Sequence, residues 1–459
     1  MWNEYQNAIF LDLFSFLSCV FLLIRYSALR FSHPGVPYLF FHAHTVTSRL
    51  FALANGALPL FTGGVFWGVE PNEITRAALY LDGALWLVTF VWCVKPCEDP
   101  NATVDLRALR INPTIHRWMV YLSVLAGGYG LRYIYLPGYD PGLGNSEWGN
   151  SSYLLILPTW FGLGLLAHIY YYGANRITGF LISIYLGLML MQGQFRFRIV
   201  TAVLMLVHIW VERRQRRWPS LSILLGLGIL AVLFFPMKEI GLRLVRGDGI
   251  EAINASISDS VSDVYKGRAA DQAFLDQAAS AMTLSDVRGE KLWFGGYVPF
   301  LTLPIPRVWW PDKPSLLDSG AIAFVSSSSR PMKQAGMCPT YVGEAYIDFG
   351  VVGGVVAVPL VLAWILSWFS RKAARTPYDS VLRLTYAIVS VNLIQVYRDG
   401  ITSLFLFTTV NMMPLFFLII AHLVLRVFQA RKGNNQVGFA FRATAASPSV
   451  VPGSSTYPN

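Results

Sequence analysis

The sequence predicts an all-α polytopic membrane protein of about eleven transmembrane helices, with one large extracytoplasmic loop between spans 8 and 9. Three observations carry this prediction. Of the 459 residues, 54% are hydrophobic and only 14% charged, where a soluble chain carries about a quarter charged residues. Apolar runs close to the ~20 residues that cross a bilayer recur along most of the chain. Basic residues gather in short loops between those runs, as the positive-inside rule requires. The formal net charge of +10 therefore reads as topology and not as a nucleic-acid footprint, and no nucleic-acid partner is expected.

The apolar runs fall near 8–24, 38–62, 77–94, 116–134, 152–171, 177–193, 197–211, 220–236, 350–369, 381–397 and 402–425. The first has an acidic or neutral start and no convincing small-residue cleavage site, so it reads as a span and not as a removed signal peptide. The second is the weakest, because it holds His42, His44 and Arg49. With the N-terminus outside, the strongly basic short loops all fall on the cytoplasmic side. They contain Arg25 and Arg30, then Lys95, Arg107, Arg110 and Arg117, then Arg176, the cluster Arg213 to Arg217, Arg371 to Arg375, and finally Arg426 to Lys432. Four regions follow: 1–236, a bundle of spans 1–8; 237–349, the extracytoplasmic loop; 350–432, spans 9–11; and 433–459, a Ser-, Pro- and Gly-rich cytoplasmic tail too polar to fold alone.

The four cysteines, Cys19, Cys93, Cys97 and Cys338, suggest neither a disulfide framework nor a zinc motif. His42 and His44 would need further metal ligands that the sequence pattern does not supply. With no DxD-like motif in the loop, a metal-independent reaction without cofactors is expected.

Within 237–349, residues 258–288 read as one or two amphipathic helices, with Val261, Val264 and Tyr265 and then Leu275, Ala278 and Met282 at helical spacing. Such a face packs on the loop's own core or lies at the bilayer surface. From Pro299 to Pro314 five prolines exclude helix and stiffen the backbone. Trp309 and Trp310 there are interfacial anchors or platforms for sugar rings.

Several charged residues stand out on the outer side. Arg196 and Arg198 flank the turn between spans 6 and 7. On a helix they point to opposite sides, so only one could face a shared cavity; in an extended turn both could, and snorkelling to headgroups is the plain alternative. Arg243 and Arg246 share a helix face that Gly247-Asp-Gly249 ends, and two guanidiniums on one face can grip a diphosphate. Arg307 is braced by prolines. Arg398 stands between the last two spans, next to Asp399. Glu344 and Asp348 share a helix face and could act as general base and orienting partner, or could simply stabilise a helix N-terminus.

Gln192-Gly-Gln-Phe-Arg196-Phe-Arg198, Pro306-Arg307-x-x-Trp310-Pro-x-Lys-Pro314, Gly343-Glu344-x-Tyr346-x-x-Phe349-Gly350 and Arg398-Asp399-Gly400, with one large loop late in a many-span chain, resemble the Wzy-type polysaccharide polymerases. These belong with the O-antigen ligases in a superfamily of GT-C membrane glycosyltransferases. The resemblance covers about 180–425. It implies a bacterial plasma (inner) membrane enzyme with its C-terminus in the cytoplasm. Such an enzyme polymerises undecaprenyl-diphosphate-linked oligosaccharides, donor and acceptor both lipid-linked, into an exopolysaccharide or O-antigen. A flippase and a chain-length regulator are implied partners. The site set expected is then Glu344, Arg307 and Asp348 for catalysis, Arg196, Arg198, Arg243, Arg246 and Arg398 for the diphosphate, and Trp309, Trp310 and Tyr346 for sugar stacking. The ligase branch carries a functional histidine in its loop, and 237–349 has none, which favours the polymerase. A ligase-like transferase and a transporter of lipid-linked glycans are the alternatives.

Overall fold

A computed structural model describes residues 2–27, 29–57, 69–97, 113–134, 157–191, 196–234, 236–247, 249–265, 273–295, 297, 305, 309–310, 339–377, 380–398, 400–405, 407–409, 412–417 and 419–425. Among these the regular structure is helical throughout. Three segments are long and apolar enough to cross a membrane, Glu4–Tyr26, Pro71–Val94 and Thr340–Ala374, and Ile401–Thr409 with Met412–Leu425 forms a fourth if that bent pair is one span. The chain is thus an α-helical membrane protein. The count of eleven spans and the sidedness of the loops rest on hydropathy and charge.

Helix α1 (Trp2–Tyr26) shows why these segments form and where they face. Glu4 in its first turn and Arg25 in its last match the helix dipole. Phe10, Phe14, Leu17 and Phe21 recur on one side and are exposed, whereas Tyr5, Ala8, Asp12, Cys19 and Leu23 are buried. An outward aromatic and aliphatic stripe of this length suits lipid contact. Next come α2 (Gly35–His42), a π-helical turn (Ala43–Thr47) and α3 (Ser48–Ala54). Helix α4 (Pro71–Val94) starts with Pro71 in its first turn and a reciprocal capping box between Glu70 and Glu73.

The middle of the chain supplies α5 (Pro113–Ile134), α6 (Leu157–Tyr172), α7 (Arg176–Met191), α8 (Arg196–Arg213), α9 (Leu221–Phe234), α10 (Met237–Arg246), α11 (Ile250–Tyr265) and α12 (Phe274–Arg288). After it come α13 (Thr340–Val351), a second π turn (Val352–Ala357), α14 (Val358–Ala374), α15 (Val381–Asn392) and α16 (Ile394–Arg398). Two apolar clusters organise them. One joins α1 to α4 with α12, α13 and α16, and the other joins α6, α7, α8 and α15 with the last helix.

The turn between α1 and α2 is fixed by His33. Gly35 N–H donates to His33 Nδ1 at 2.9 Å, so the proton sits on Nε2, which donates to Ser27 Oγ at 2.9 Å. Ser27 Oγ donates in turn to Trp92 O at the end of α4. Burial, with the charge of Arg30 beside it, holds the imidazole down to about 3, against about 6.5 in an unfolded chain. Because the folded value is depressed, this chain of bonds contributes stability fully above about pH 6.5, and the contribution is lost as pH falls toward 3. The melting temperature in detergent is therefore expected to decline between pH 6.5 and 4. In His33→Asn that slope is expected to flatten, with a lower melting temperature at pH 7.5. An unchanged slope would remove His33 as the titrating group.

Among the described residues of 237–349, α12 and α13 pack into the helical bundle. The helical reading of 258–288 agrees with α11 and α12, but α12 is no surface amphipath. Leu275, Ala278 and Met282 are buried, and so are Asp276, Gln277 and Ala279 on its other sides. The small residues Ala278, Ala279 and Ala281 let neighbouring backbones approach closely, so the helix is held against α4, α13 and the first π turn. Arg49 on α3 clasps it, with Nε donating to Asp276 Oδ1 at 3.0 Å and Nη2 to Asp276 Oδ2 at 2.5 Å.

Helix α13 also begins ten residues before the run that hydropathy marks at 350. Gly350 has φ 69° and ψ −160°, a conformation open essentially to glycine alone. There the chain doubles back. A Cβ on Gly354 would lie 2.9 Å from Val342 O, although a straight helix would hold those residues about 18 Å apart. Leu292 N–H and Trp293 N–H donate to Ile347 O and Asp348 O, both at 3.2 Å, which satisfies carbonyls that the break exposes.

Candidate functional site

A cavity of about 550 Å³ lies at the seam between the two clusters. Phe197, Val200, Leu204 and His208 form its wall on α8, and Leu227, Ala231 and Phe234 on α9. The α8 positions share one face over about 16 Å of helix. Phe31 and Trp218 line one end, where Phe31 N–H donates to Arg217 O at 2.9 Å. Both belong to loops that the charge pattern places in the cytoplasm. Phe197, Phe234 and Arg398 line the other end, with the Arg398 guanidinium 4.0 Å from the centre of the Phe197 ring.

Glu344 fixes the turn that carries Arg398. Ile401 N–H donates to Glu344 Oε2 at 2.6 Å and Thr402 N–H at 3.3 Å, while Thr402 Oγ1 donates to Oε1. The carboxylate therefore caps the N-terminus of the last helical pair from outside it. Glu344, expected as general base, thus accepts three hydrogen bonds from the turn in this arrangement. Gly400 has φ +97°, and a Cβ there would stand 2.3 Å from Glu344 Oε2. Two of the four motifs thus meet, and the third adjoins them through Phe197.

Asp348 is buried one turn further along α13. Tyr297 is close to both carboxylates: burial drives its hydroxyl far above the ordinary value, and the charges of Glu344 and Asp348 add to this. Its hydroxyl is buried and protonated but makes no hydrogen bond to either among the described residues. Its ring stacks on Phe349.

The other expected site residues are scattered. Helix α8 begins at Arg196, so Arg196 and Arg198 stand on a helix and not in an extended turn. Arg198 lies within electrostatic reach of Tyr185 on α7, and Phe197 faces the cavity instead. Arg243 and Arg246 do lie on one helix, which Gly247 ends at φ 74°; that helix packs mainly on α7 and α11, and neither arginine lines the cavity. The ring of Tyr346, expected to stack on sugar, stacks here on Tyr80, Lys291 Nζ sits 4.4 Å from its centre, and its hydroxyl donates to Asp286 Oδ1 at 2.7 Å. Trp309 and Trp310 are exposed, as either an anchor or a platform requires. Arg307 and Asp399 lie outside the described residues.

The sequence reading misses a buried polar network beneath the cavity. Tyr397 lines the cavity, and its hydroxyl is 3.0 Å from His42 Nδ1. His42 Nε2 in turn meets Asp12 and Asp82. The Tyr397 ring packs on Tyr38 and Tyr341, whose hydroxyls bond each other. The signal was available: Asp12 and Asp82 each interrupt a strongly apolar run, and an ionisable residue inside a span asks for a partner.

Fold and site together define an α-helical membrane protein with an apolar, arginine-ended cavity above a buried network of ionisable groups. No family model, curated protein or solved structure matches the chain.

Proposed function

We propose that this protein is a metal-independent glycosyltransferase that joins lipid-diphosphate-linked oligosaccharide repeat units on the outer face of the plasma membrane. The observation that carries the reading is the apolar cavity between membrane helices that ends at Arg398. Such a cavity suits part of a polyprenyl tail, and a guanidinium at its mouth matches the phosphate oxygens of the head. The acceptor sugar hydroxyl attacks the donor's anomeric carbon, and the bond to the diphosphate breaks with its electron pair. The leaving diphosphate needs positive charge more than a proton. Arg398 supplies it, with Arg243, Arg246 and Arg307 as further cations of the outer segments. Asp348 takes the hydroxyl proton, and Glu344 acts as a positioning residue through the Arg398 turn.

Reconstitution with lipid-diphosphate-linked repeat units tests this directly. A ladder of products on a gel is expected. A single transfer to a different lipid would indicate a ligase. Arg398→Ala is expected to reduce the rate by about 100-fold or more, with Arg398→Lys intermediate, since a point charge replaces a fork. Asp348→Asn should lower kcat at unchanged KM, whereas Glu344→Gln should lower stability along with kcat. Full activity in Asp348→Asn would remove it as the base.

One observation favours a second reading. Asp12 and Asp82 are buried inside candidate spans, with the buried His42 bonded to both, and intramembrane charges of this kind mark transport pathways. Movement of the glycolipid between leaflets without transfer would establish that reading and make Arg398 a docking residue.

A further inference from the structure

Asp12 lies midway along α1 and Asp82 midway along α4, and His42 ends α2 where the helix widens into a π turn. Single π turns are frequent at functional sites. All three side chains are buried, at 0%, 6% and 0% exposure for Asp12, Asp82 and His42. His42 Nε2 stands 3.1 Å from Asp12 Oδ1 and 3.1 Å from Asp82 Oδ1. One donor atom from each residue lies within 4.8 Å of the other two.

Two features argue that this cluster is incomplete. The first is charge. Two carboxylates with a neutral ring carry a net charge of about −2, and a protonated ring still leaves about −1, with no Lys or Arg among the ion-pair partners of these residues. Burying uncompensated charge costs several kcal/mol. The second is the other carboxylate oxygens. Asp12 Oδ2 and Asp82 Oδ2 are both buried, and neither accepts a hydrogen bond.

A divalent cation removes both deficits at once. It neutralises two carboxylates while His42 stays neutral. Nitrogen and oxygen ligands at about 2.0–2.2 Å from a metal stand roughly 3.0–3.5 Å from each other, which the 3.1 Å spacings match. With Nε2 on the metal, His42 Nδ1–H donates to Tyr397 Oη, the outer-shell bond that orients ligating histidines. We propose that Asp12, His42 and Asp82 bind one divalent transition-metal ion of the zinc class. The mixed imidazole and carboxylate donors favour such an ion over magnesium or calcium. It would tie α1, α2 and α4 together and set Tyr397, and so the cavity wall, through one hydrogen bond. This goes beyond the glycosyltransferase reading and does not depend on it, because the ion is structural and takes no part in the transfer step.

The test uses the full-length protein in detergent. It is stripped with a chelator, reloaded with Zn²⁺ and passed through a desalting column, and bound metal is measured by mass spectrometry. About one equivalent is expected in the wild type, falling about tenfold or more in Asp12→Asn and in Asp82→Asn. Chelation should lower the wild-type melting temperature, and Zn²⁺ should restore it. Loading with Co²⁺ adds a readout that needs no variant: visible absorption bands of a nitrogen- and oxygen-ligated ion are expected. Wild type that retains less than about a tenth of an equivalent and shows no Co²⁺ bands overturns the proposal, and leaves a proton-binding cluster. Equal Zn²⁺ retention in the Asp12→Asn/Asp82→Asn double variant overturns it also, as adventitious binding.

Discussion

Gly400→Ala is expected to cut glycan transfer by about 100-fold and to destabilise the protein by about 2–4 kcal/mol, although the residue touches no substrate. Two separate costs combine. At φ +97° a side chain is strained by roughly 1–2 kcal/mol whatever space surrounds it. The new Cβ would also meet Glu344 Oε2 at 2.3 Å and Glu344 Cδ at 2.8 Å. A free carboxylate would move aside, but this one is held by Ile401 N–H, Thr402 N–H and Thr402 Oγ1. Displacing it uncaps the last helical pair and releases the turn that aims Arg398. A double variant separates the costs. Gly400→Ala/Glu344→Asp shortens the acid and relieves the contact but not the backbone strain, so part of the stability should return. Transfer rate in vesicles and thermal unfolding of the same preparation are the two measurements. Wild-type activity in Gly400→Ala would break the link between Glu344 and Arg398.

Much of the helical layout was legible because it is local. Among the described residues the apolar runs fall on helices, although 38–62, 381–397 and 402–425 each hold more than one, since periodicity and capping are written within a few turns of sequence. The Glu70/Glu73 box and the stops at Gly247 and Gly289 are of this kind. The site was only half legible. Gly343-Glu344, Arg398-Asp399-Gly400 and Phe197 do come together, but Glu344 meets a helix 57 residues away, and no local pattern says which N-terminus an acid will cap. The surroundings of Tyr346 were illegible for the same reason. Its covering partners come from two distant segments, Tyr80 on α4 and Asp286 and Lys291 at the end of α12. The burial of α12 was hidden for a further reason. Helix α12 is polar in composition because Asp276 and Gln277 are buried with partners, and hydropathy counts such residues as exposed. Polar residues beside Ala278 and Ala279 mark a helix buried among other helices as readily as one facing water.

Asp276→Ala is expected to be the most destabilising single change in the molecule, at about 3–5 kcal/mol, and to release α12 from the bundle. The argument starts from the asymmetry of the pair. Arg49 is fully buried and Asp276 nearly so. A guanidinium cannot shed its proton at any ordinary pH, so without its carboxylate it stays charged in a low-dielectric site. A stranded carboxylate can neutralise itself by taking a proton. Arg49→Met should therefore cost less than Asp276→Ala, although both break the same two hydrogen bonds. Replacing both partners, as Arg49→Met/Asp276→Leu, removes the buried charges together. It should recover to within about 1–2 kcal/mol of the wild type, as apolar replacements of buried pairs commonly do. Thermal unfolding in detergent across the four proteins gives the coupling directly. The double variant also separates the two functional readings. If the pair only docks α12 against α4 and α13, the folded double variant keeps its transfer ladder. If Arg49 and Asp276 are the moving charges of a transporter, the same folded variant loses glycolipid movement while its melting temperature stays near that of the wild type.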